Sequence, residues 1–493
     1  MKVNFKIKLN ERSTFIFIFN VLLVVFQFAY LTLRYAYLND LIPFWYTKPW
    51  GDYQLSPKIN SYFIPVTTAL VLLGGLFFIW TLKKYYVRYA TELITLFVTS
   101  CNIFLTYSLL RVIKIGSSVF VPIVSPVYVD LIVPFAFAFF VMLFTLPAFI
   151  DFLKKRNIVT NPAIHNHPGM LLQKPSARGG GFIFALVFLL TAIIFVPTSE
   201  KYVGIYLVMF LLAVIGLLDD YQNTHPKSRL SFLEKPLVRL MLLFFVVSIV
   251  VFFGIKIDFI GNPLGGIIDF NAFKLYMWGV PISPIAAFIT VVWIVWVLNV
   301  LSWSNGIDGQ YAGIVGIAAV VVALLALRFV PLDKMDTNNA KLAIIAAGAT
   351  FGLLPYNWHP SKIMWGFGAM SAAFILSSLS ILISSKVATS IMIILIPFVD
   401  ALVITLRRIL QKQNPLKGDW GHLHHILIDR GWGIKKIAVF YWISTAFFGI
   451  LALLASGRTL ALLTLTSAGV VAFILILLNL RLIARKQLQS KAA

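Results

Sequence analysis

The sequence contains almost no cysteine and little charge for its length. Cys101 is the only cysteine among 493 residues, and it lies inside an apolar run. A disulfide framework and a cysteine-based metal site are therefore excluded, and we interpret Cys101 as a small buried hydrophobic residue. Charged residues make up only 12% of the chain and are confined to short intervals between long hydrophobic runs. A soluble globular protein does not have this composition.

Acidic residues are especially scarce. The chain has 18 Asp and Glu against 41 Lys and Arg, which gives a formal net charge of +23. A similar excess occurs in nucleic-acid-binding proteins, but here the basic residues stand at the ends of apolar runs rather than in one basic domain. The positive-inside rule and attraction to anionic headgroups explain them better. We therefore expect membrane lipids as partners and no nucleic acid.

Apolar runs account for most of the chain, because 60% of the residues are hydrophobic. A bilayer core needs about 20 apolar residues per helix. The runs between charged or Pro/Gly breaks predict an all-α polytopic integral membrane protein with about fourteen transmembrane helices. These predicted helices lie near residues 14–36, 61–82, 91–110, 128–150, 180–197, 202–218, 236–253, 281–300, 311–328, 341–356, 367–385, 388–405, 437–456 and 459–480.

The distribution of charge indicates which loops face the cytoplasm. With a cytoplasmic start, the loops on that side hold 28 of the 41 Lys and Arg residues. The first 36 residues begin with basic residues and lack a small-residue cleavage site, so we expect a retained anchor. A bacterial-type plasma-membrane protein with both termini and the charged loops in the cytoplasm is therefore expected. On the opposite side, residues 254–280 mix Gly, Pro and alternating apolar residues, which predicts a small hairpin.

Two adjacent carboxylates, Asp219 and Asp220, directly follow an apolar run at the predicted cytoplasmic end of a helix. Mg²⁺ prefers oxygen ligands and bridges to phosphate oxygens. The pair is therefore a candidate Mg²⁺ site for a phosphate-rich substrate. A solvated helix end is the simpler alternative.

The next cytoplasmic turn, NVLSWSNGIDG, places Asn299, Ser302, Asn305 and Asp308 at intervals of three. On a helix, this spacing keeps their polar groups roughly on one face. Beside a cavity, such a row would suit the hydroxyls and amides of a sugar or nucleotide. A plain helix C-terminus with Asn and Gly is the alternative.

The largest cytoplasmic loop combines basic residues with three histidines. Arg407 and Arg408 stand at its start, and His422, His424 and His425 follow in GHLHH. Cations together with imidazoles would form a receptor for a diphosphate. Zinc is an alternative, but the adjacent histidines cannot both face one ion from a regular helix, and no cysteine assists.

The loop at residues 151–179 contributes Lys174 and Arg178, followed by glycines that can expose backbone N–H groups. By itself this pattern fits a basic membrane-surface loop equally well. All four polar loops fall on the same predicted side, however, whereas independent placement would scatter them over both faces.

The order of these motifs resembles that of the polyprenyl-phosphate N-acetylhexosamine-1-phosphate transferases, integral membrane enzymes that start lipid-linked cell-envelope glycans. KPSARGGG resembles the family's Lys-Pro-x-x-Arg-x-Gly-Gly loop, the DD pair its double aspartate, and NGIDG its Asp-Gly-x-Asp-Gly turn. PFVDALVITLRRI followed by GHLHH is similar to the family's last cytoplasmic loop. The HLHH form favours the N-acetylglucosamine branch over the muramoyl-pentapeptide branch.

The resemblance implies transfer of an N-acetylhexosamine 1-phosphate from a UDP-sugar to polyprenyl (undecaprenyl) phosphate, with release of UMP. It implies that Asp219 and Asp220 are catalytic and bind Mg²⁺. It assigns substrate binding to polar residues of the four loops: Lys174, Arg178, Asn299, Asn305, Asp308, Arg407, His422, His424 and His425. The expected partners are polyprenyl phosphate and UDP-N-acetylhexosamine, and a homodimer is one option for the assembly.

The resemblance also divides the chain. Residues 128–482, with about eleven of the helices, are expected to form the transferase-like membrane domain. Residues 1–127 are an N-terminal extension with about three helices and no assigned function. Residues 483–493 are expected to be a basic cytoplasmic tail.

Two positions depart from the family pattern. Asn305 stands where an aspartate is usual, which keeps hydrogen bonding but removes charge. MWGFGAM replaces the metal-binding Phe-Met-Gly-Asp-x-Gly-Ser, so Phe367 occupies the usual position of a third metal carboxylate, and no acid occurs from Asn357 to Ser385. Weakened Mg²⁺ binding is therefore expected.

Two alternative functions stay open. A protein of this fold that has lost a metal carboxylate would bind a lipid phosphate or a nucleotide sugar without turnover. A lipid or sugar transporter is a third class, but it would need polar residues inside the spans. The spans of this chain are nearly uncharged.

Overall fold

The computed structural model describes residues 11–45, 48, 51–82, 88–117, 126–160, 175–225, 228–262, 265–277, 280–328, 334–383, 386–415 and 419–492. The chain divides into two compact units, Met1–Val124 and Ser125–Ala493. The helices of the described residues are α1 Glu11–Arg34, α2 Phe63–Leu82, α3 Arg88–Gly116, α4 Pro126–Lys155, α5 Gly180–Phe195, α6 Glu200–Thr224, α7 Pro236–Phe252, α8 Pro284–Trp303, α9 Gln310–Ala326, α10 Lys334–Asn357, α11 Ala369–Leu382, α12 Lys386–Ile393, α13 Leu395–Leu410, α14 Leu423–Asp429, α15 Ile434–Leu454 and α16 Gly457–Ala492. The strands are β1 Leu41–Pro43, β2 Leu55–Pro57, β3 Val159–Thr160, β4 Ser176–Arg178, β5 Phe259–Gly261, β6 Ile267–Asp269, β7 Leu275–Met277, β8 Val280–Ile282 and β9 Ile363–Met364.

Helices dominate the structure, and each of the fourteen predicted ranges overlaps at least one. The prediction of an all-α polytopic membrane protein is therefore confirmed. Within the described residues, eight helices are long and apolar enough to cross a membrane, or nine if the bent pair α12 and α13 forms one span. The apolar helices α5, α7, α9 and α11 are shorter. The number of fourteen crossings stays a prediction.

The single helix predicted near residues 388–405 is wrong, because α12 and α13 meet there at an angle of 94°. Pro397 lies in the first turn of α13. Proline has no N–H to donate, and its ring would collide with the carbonyl four residues earlier if α12 continued through it. A proline is tolerated in the first turn of a helix, so the chain breaks just before it.

The first unit contains α1, α2 and α3, with buried polar side chains between them. Gln27 donates from Nε2 to Oγ1 of Thr106 at 2.6 Å and accepts a hydrogen bond from Thr68 at 2.8 Å. Asn102 donates from Nδ2 to Oδ1 of Asn20 at 2.8 Å. In a bilayer, where lipid is as apolar as the helices, such hydrogen bonds help to hold helices together.

In the second unit, α9, α10 and α11 form the interior, and their side chains are mostly buried. Gly348 and Gly352, four residues apart on α10, face α4. A Cβ atom at Gly352 would lie 2.5 Å from the carbonyl oxygen of Phe139, so glycine permits this close helix packing. On the outer helices, Phe245 and Phe252 are exposed. This suits contact with lipid, because a lipid-facing surface must be apolar.

Short strands connect the loops at the helix ends. Between α7 and α8, β5 pairs with β6 with Ile260 opposite Ile268, which confirms the predicted hairpin, and β7 pairs with β8 in a second one. Elsewhere, β4 pairs in parallel with β9 and places Ala177 opposite Ile363. This pairing joins the loop before α5 to the loop before α11 and positions the candidate site.

Candidate active site

Asp220 is fully buried in the last turns of α6. Its Oδ1 accepts hydrogen bonds from Nε of Arg178 at 3.2 Å and from the backbone N–H of Phe367 at 3.1 Å. Its Oδ2 is buried and has no hydrogen-bond partner. Arg178 ends β4 and Phe367 follows β9, so the pairing of these two strands brings both residues to the same carboxylate.

Asp219, the neighbouring acid, is also buried and is paired with a different arginine. Nη2 of Arg239 lies 2.6 Å from Oδ1 of Asp219. Asn223, one turn further along α6, donates from Nδ2 to Oδ2 of Asp219 at 2.6 Å. The two adjacent carboxylates are therefore paired with two different arginines that come from different loops.

Arg239 also lies over Phe367, with its guanidinium carbon 5.3 Å from the centroid of the phenyl ring. At this distance a cation and an aromatic face attract each other. Arg239 was not among the residues predicted from the sequence, although a signal was present. The signal was its position as the fourth residue of a predicted helix, on the same predicted cytoplasmic side as the two aspartates.

Glycines allow the backbone segments of this site to pack against each other. A Cβ atom at Gly180 would lie 2.9 Å from the carbonyl oxygen of Met364, and Cβ atoms at Gly181 and Gly216 would collide with the backbone of Gly368. The N–H of Gly181 donates to the carbonyl of Trp365 at 3.0 Å. The glycines that follow Arg178 therefore allow α5 to pack closely against the segment that carries Phe367, and Gly216 allows the same for α6.

The turn at residues 305–309 reaches this cluster from α8. Nδ2 of Asn305 donates to the carbonyl oxygen of Gly366 at 3.4 Å. A Cβ atom at Gly306 would lie 2.7 Å from Nε2 of His424, so the histidine loop packs directly on the turn. The structure thus brings together the four loops that carry Arg178, the two aspartates, Asn305 and the histidines, whereas Lys174 lies outside the described residues.

Asp308 and Asn299 make internal hydrogen bonds. Oδ2 of Asp308 lies 2.8 Å from Nδ1 of His359 and accepts the N–H of Ser361 at 3.2 Å. Asn299 donates from Nδ2 to the carbonyl of Val295 in its own helix at 2.8 Å. No role was predicted for His359 from the sequence, because its partner stands 51 residues away in the chain.

The three histidines form a stacked, mostly buried group. His422 is held at Nδ1 by Oδ2 of Asp400 at 2.9 Å, and Oδ1 of Asp400 accepts the N–H of Leu423 at 3.0 Å. The rings of His422 and His424 are nearly parallel with centroids 5.7 Å apart, and those of His424 and His425 are 4.3 Å apart.

Burial sets the charge of two of these histidines. It lowers the pKa of His424 well below the ordinary value, and His425 and His422 lower it further. Burial, followed by the proximity of His422, lowers the pKa of His425 to about 4, although nearby aspartates oppose the shift. At neutral pH these two imidazoles are uncharged. They provide hydrogen-bonding groups, and the positive charge expected of this loop comes from its arginines.

Arg407 and Arg408 both bind Asp419, for which no role was predicted from the sequence. Nη1 of Arg408 lies 2.6 Å from Oδ2 of Asp419, and Nη2 of Arg407 hydrogen-bonds Oδ1. Burial alone would raise the pKa of Asp419, but hydrogen bonds from Arg407, the N–H of Gly421 and Arg408 lower it to about 2. Arg407 also donates to Asn479 of α16. Two adjacent arginines at the end of an apolar helix were the signal for such an acid.

The donor set around the two aspartates does not match the metal site that the family resemblance implies. Oδ1 of Asp219 is occupied by Arg239, and Oδ1 of Asp220 by Arg178. Phe367 supplies a backbone N–H and a phenyl ring instead of a carboxylate oxygen. In the part of the chain that the structure describes, no three His, Cys, Asp or Glu side chains are arranged to hold a metal ion. The residues present therefore do not fit a three-carboxylate Mg²⁺ site.

Comparison with known proteins matches this region to one family. The sequence model of glycosyl transferase family 4 matches residues 202–384, which include the two aspartates, the turn at 305–309 and Phe367. The probable undecaprenyl-phosphate N-acetylglucosaminyl 1-phosphate transferase of Bacillus subtilis is 29% identical over 126 residues, 24% of this chain and 35% of that protein. The decaprenyl-phosphate N-acetylglucosaminephosphotransferase of Mycolicibacterium smegmatis is 26% identical over 130 residues, 22% of this chain and 32% of that protein.

A longer match covers about two thirds of the chain. The phospho-N-acetylmuramoyl-pentapeptide-transferase of Nitratiruptor sp. is 26% identical over 342 residues, which cover 65% of this chain and 92% of that protein. The chain thus spans about a third of the length of the first two relatives and nearly all of this one.

Proposed function

We propose that this chain, whose residues 202–384 match the sequence model of glycosyl transferase family 4, transfers N-acetylhexosamine 1-phosphate from a UDP-sugar to a polyprenyl phosphate and releases UMP. The resemblance drawn from the motif order is confirmed by the family match. The names of the Bacillus and Mycolicibacterium relatives support N-acetylglucosamine as the sugar. The HLHH form of the histidine loop supports the same choice.

The observation that carries the proposal is the convergence of the motif loops on one acidic pair. Arg178 contacts Asp220, Arg239 contacts Asp219, and Asn305 contacts Gly366 beside them. These residues come from parts of the chain that are far apart in sequence. A structural helix end would not need four loops with phosphate-binding chemistry to meet around it.

The proposed reaction exchanges one phosphoanhydride bond for another. An oxygen of the polyprenyl phosphate attacks the β-phosphorus of the UDP-sugar, and the bond from that phosphorus to the oxygen of the α-phosphate breaks. UMP leaves with the electron pair, and the product is a polyprenyl diphosphate sugar. Such transfers depend mainly on in-line positioning and on neutralisation of charge.

The residues of the cluster have chemistry suited to these tasks. Arg178 and Arg239 are oriented by the two acids and can donate hydrogen bonds to phosphate oxygens. We assign Asp220 the role of holding Arg178 in place beside the lipid phosphate, because Asp220 is fully buried and its Oδ1 accepts a hydrogen bond from Nε of that arginine. The uncharged His424 and His425 are assigned as hydrogen-bond donors to the diphosphate. By resemblance, the remaining predicted binding residues are Lys174, Asn299, Asn305, Asp308, Arg407 and His422.

A second candidate is binding of the lipid phosphate or the nucleotide sugar without turnover. Phe367 favours it, because the phenyl ring stands where the family resemblance places a carboxylate and covers the guanidinium of Arg239. The same substrates would bind in both cases. Only the release of UMP distinguishes the two candidates.

A UMP-release assay on purified protein tests both. Wild-type protein in nanodiscs is incubated with UDP-N-acetylglucosamine or other UDP-sugars, with and without polyprenyl phosphate, and with either Mg²⁺ or EDTA. UMP release that requires polyprenyl phosphate supports the transferase. Binding of both substrates without UMP supports the second candidate, and failure to bind either overturns both. The expected participation of Mg²⁺ stays a prediction that the two metal conditions test.

Variants identify the acids involved. Asp219→Asn and Asp220→Asn are each expected to lower turnover by at least about 100-fold, since each disrupts an arginine pair beside the substrate. Asp151→Asn is the matched control, because Asp151 is exposed near the C-terminal end of α4. Unchanged turnover in both site variants would refute the assigned roles.

A further inference from the structure

The acidic pair and its two arginines form a charge-balanced group. Asp219 and Asp220 are 2% and 0% exposed, and each has one guanidinium within 3.2 Å. Two carboxylates and two guanidiniums have no net charge. A buried charge is tolerated when an opposite charge is paired with it, so the two guanidiniums offset the charge of the two carboxylates without a further ion.

Arg239 contacts both an aspartate and an aromatic ring. It contacts Oδ1 of Asp219 on one side, and the ring of Phe367 lies under its guanidinium on the other. An aromatic face attracts a cation but offers no lone pair to a metal ion. Phe367 therefore stabilises a guanidinium at this place and cannot serve as a metal ligand through its side chain.

We propose that the guanidinium of Arg239 is a permanent internal cation, which occupies the position beside Asp219 that a divalent metal ion would need. The chain neutralises its acidic pair with its own side chain, held in place by Phe367. Mg²⁺ would have to displace Arg239 from Asp219, or else add two positive charges to a buried group that is already neutral. Either event is unfavourable in a low-dielectric environment.

The same geometry predicts the behaviour of a restored carboxylate. An aspartate at position 367 would stand beside Arg239 and form an ion pair with it. Phe367→Asp alone should therefore give only weak metal binding. Removal of the guanidinium in the same protein should leave three carboxylates facing one another, a set of hard oxygen ligands suited to Mg²⁺ or Mn²⁺.

The absence of a metal ion matters for catalysis only if the proposed function is correct. The test of metal binding does not depend on that function. Binding of Mn²⁺, followed by electron paramagnetic resonance with Mg²⁺ as competitor, needs no substrate and no turnover. If the protein proves inactive with every UDP-sugar, the metal measurement still has a definite result. A failure of the inference and a failure of the proposed function are therefore distinguishable.

The experiment compares wild-type protein, Arg239→Gln, Phe367→Asp and the double variant Phe367→Asp/Arg239→Gln. Wild-type protein is expected to bind no Mn²⁺ at the acidic pair. The double variant should bind Mn²⁺ at least about tenfold more tightly than Phe367→Asp, since the competing cation has gone. Arg239→Gln should unfold at a lower temperature than wild type, and Mn²⁺ should raise its unfolding temperature.

Two controls assign the signal to this site. Asp219→Asn in the double variant should abolish Mn²⁺ binding. Arg229→Gln makes the same chemical change at an exposed arginine in the loop before α7, and it should leave Mn²⁺ binding and the unfolding temperature as in wild type.

Three results would overturn the inference. The first is tight Mn²⁺ binding by wild-type protein that Asp219→Asn removes, and this measurement stands even if Arg239→Gln does not fold. The second is equal affinity of Phe367→Asp and the double variant. The third is a folded double variant that still binds no Mn²⁺, because the guanidinium would then not be what excludes the metal.

Discussion

Gly366 lies directly against Asp220, on the side of the carboxylate that has no hydrogen-bond partner. Its backbone has a φ of +64°, a conformation that favours glycine. A Cβ atom at position 366 would collide with both carboxylate oxygens of Asp220. The residue before Phe367 is therefore constrained by its backbone conformation and by its contact with a buried acid.

Gly366→Ala is expected to lower the free energy of unfolding by at least about 3 kcal/mol, because it adds a collision with Asp220 to the strain of a positive φ. Gly431→Ala is the matched control. Gly431 has a φ of +82° but no atom within 4 Å of the position its Cβ would take, so the cost should be about 1 kcal/mol. Thermal unfolding in detergent measures both. Equal costs would show that the contact with Asp220 contributes nothing.

Asp308 and His359 are expected to stabilise the protein as a pair. Asp308→Ala should cost more than His359→Ala, because Asp308 also accepts the N–H of Ser361. The double variant should cost less than the sum of the single variants by about 1 kcal/mol. A double-mutant cycle of unfolding free energies measures this coupling. Strictly additive costs would mean that the pair is not formed in solution.

Stability should fall as the pH drops from about 6.5 to about 4. The pKa of His424 and that of His425 are lowered on folding by burial, so the unfolded chain binds protons in this range that the folded protein does not. Each such histidine contributes up to about 1.4 kcal/mol per pH unit. His425→Gln should therefore flatten the dependence of the unfolding temperature on pH between these values. An unchanged slope would contradict the assigned burial of His425.

Accessibility labelling should place the candidate site in the cytoplasm. Because Cys101 is the only cysteine, Cys101→Ser provides a cysteine-free background. Gln411→Cys, just after α13, should react with a membrane-impermeant maleimide only after permeabilisation. Ala272→Cys, exposed between β6 and β7, should react in intact cells. The reverse pattern would contradict the orientation that the distribution of positive charge predicts.

The positions of the helices could be predicted from sequence because the bilayer imposes a simple physical rule. Each crossing requires a long apolar run, and the charged loops between such runs mark where the helices end. The bend before Pro397 is explained by the missing N–H and the ring of proline. It was not predicted, because the apolar run continues through the proline. The alternation of sides along the chain also predicts, from sequence alone, that the four polar loops share one face of the membrane.

Which acid binds which base was decided only by the tertiary structure. Asp220 and Arg178 are 42 residues apart in the sequence, and Asp308 and His359 are 51 residues apart. No local spacing of residues therefore predicts these pairs. Arg239 could not be assigned to Asp219, or to the ring of Phe367, until α6, α7 and the loop before α11 were packed together. The sequence by itself determined the membrane fold and the residue types at the site. The packing of helices decided their partners, because hydrogen bonds and ion pairs act over a few ångströms in space rather than along the chain.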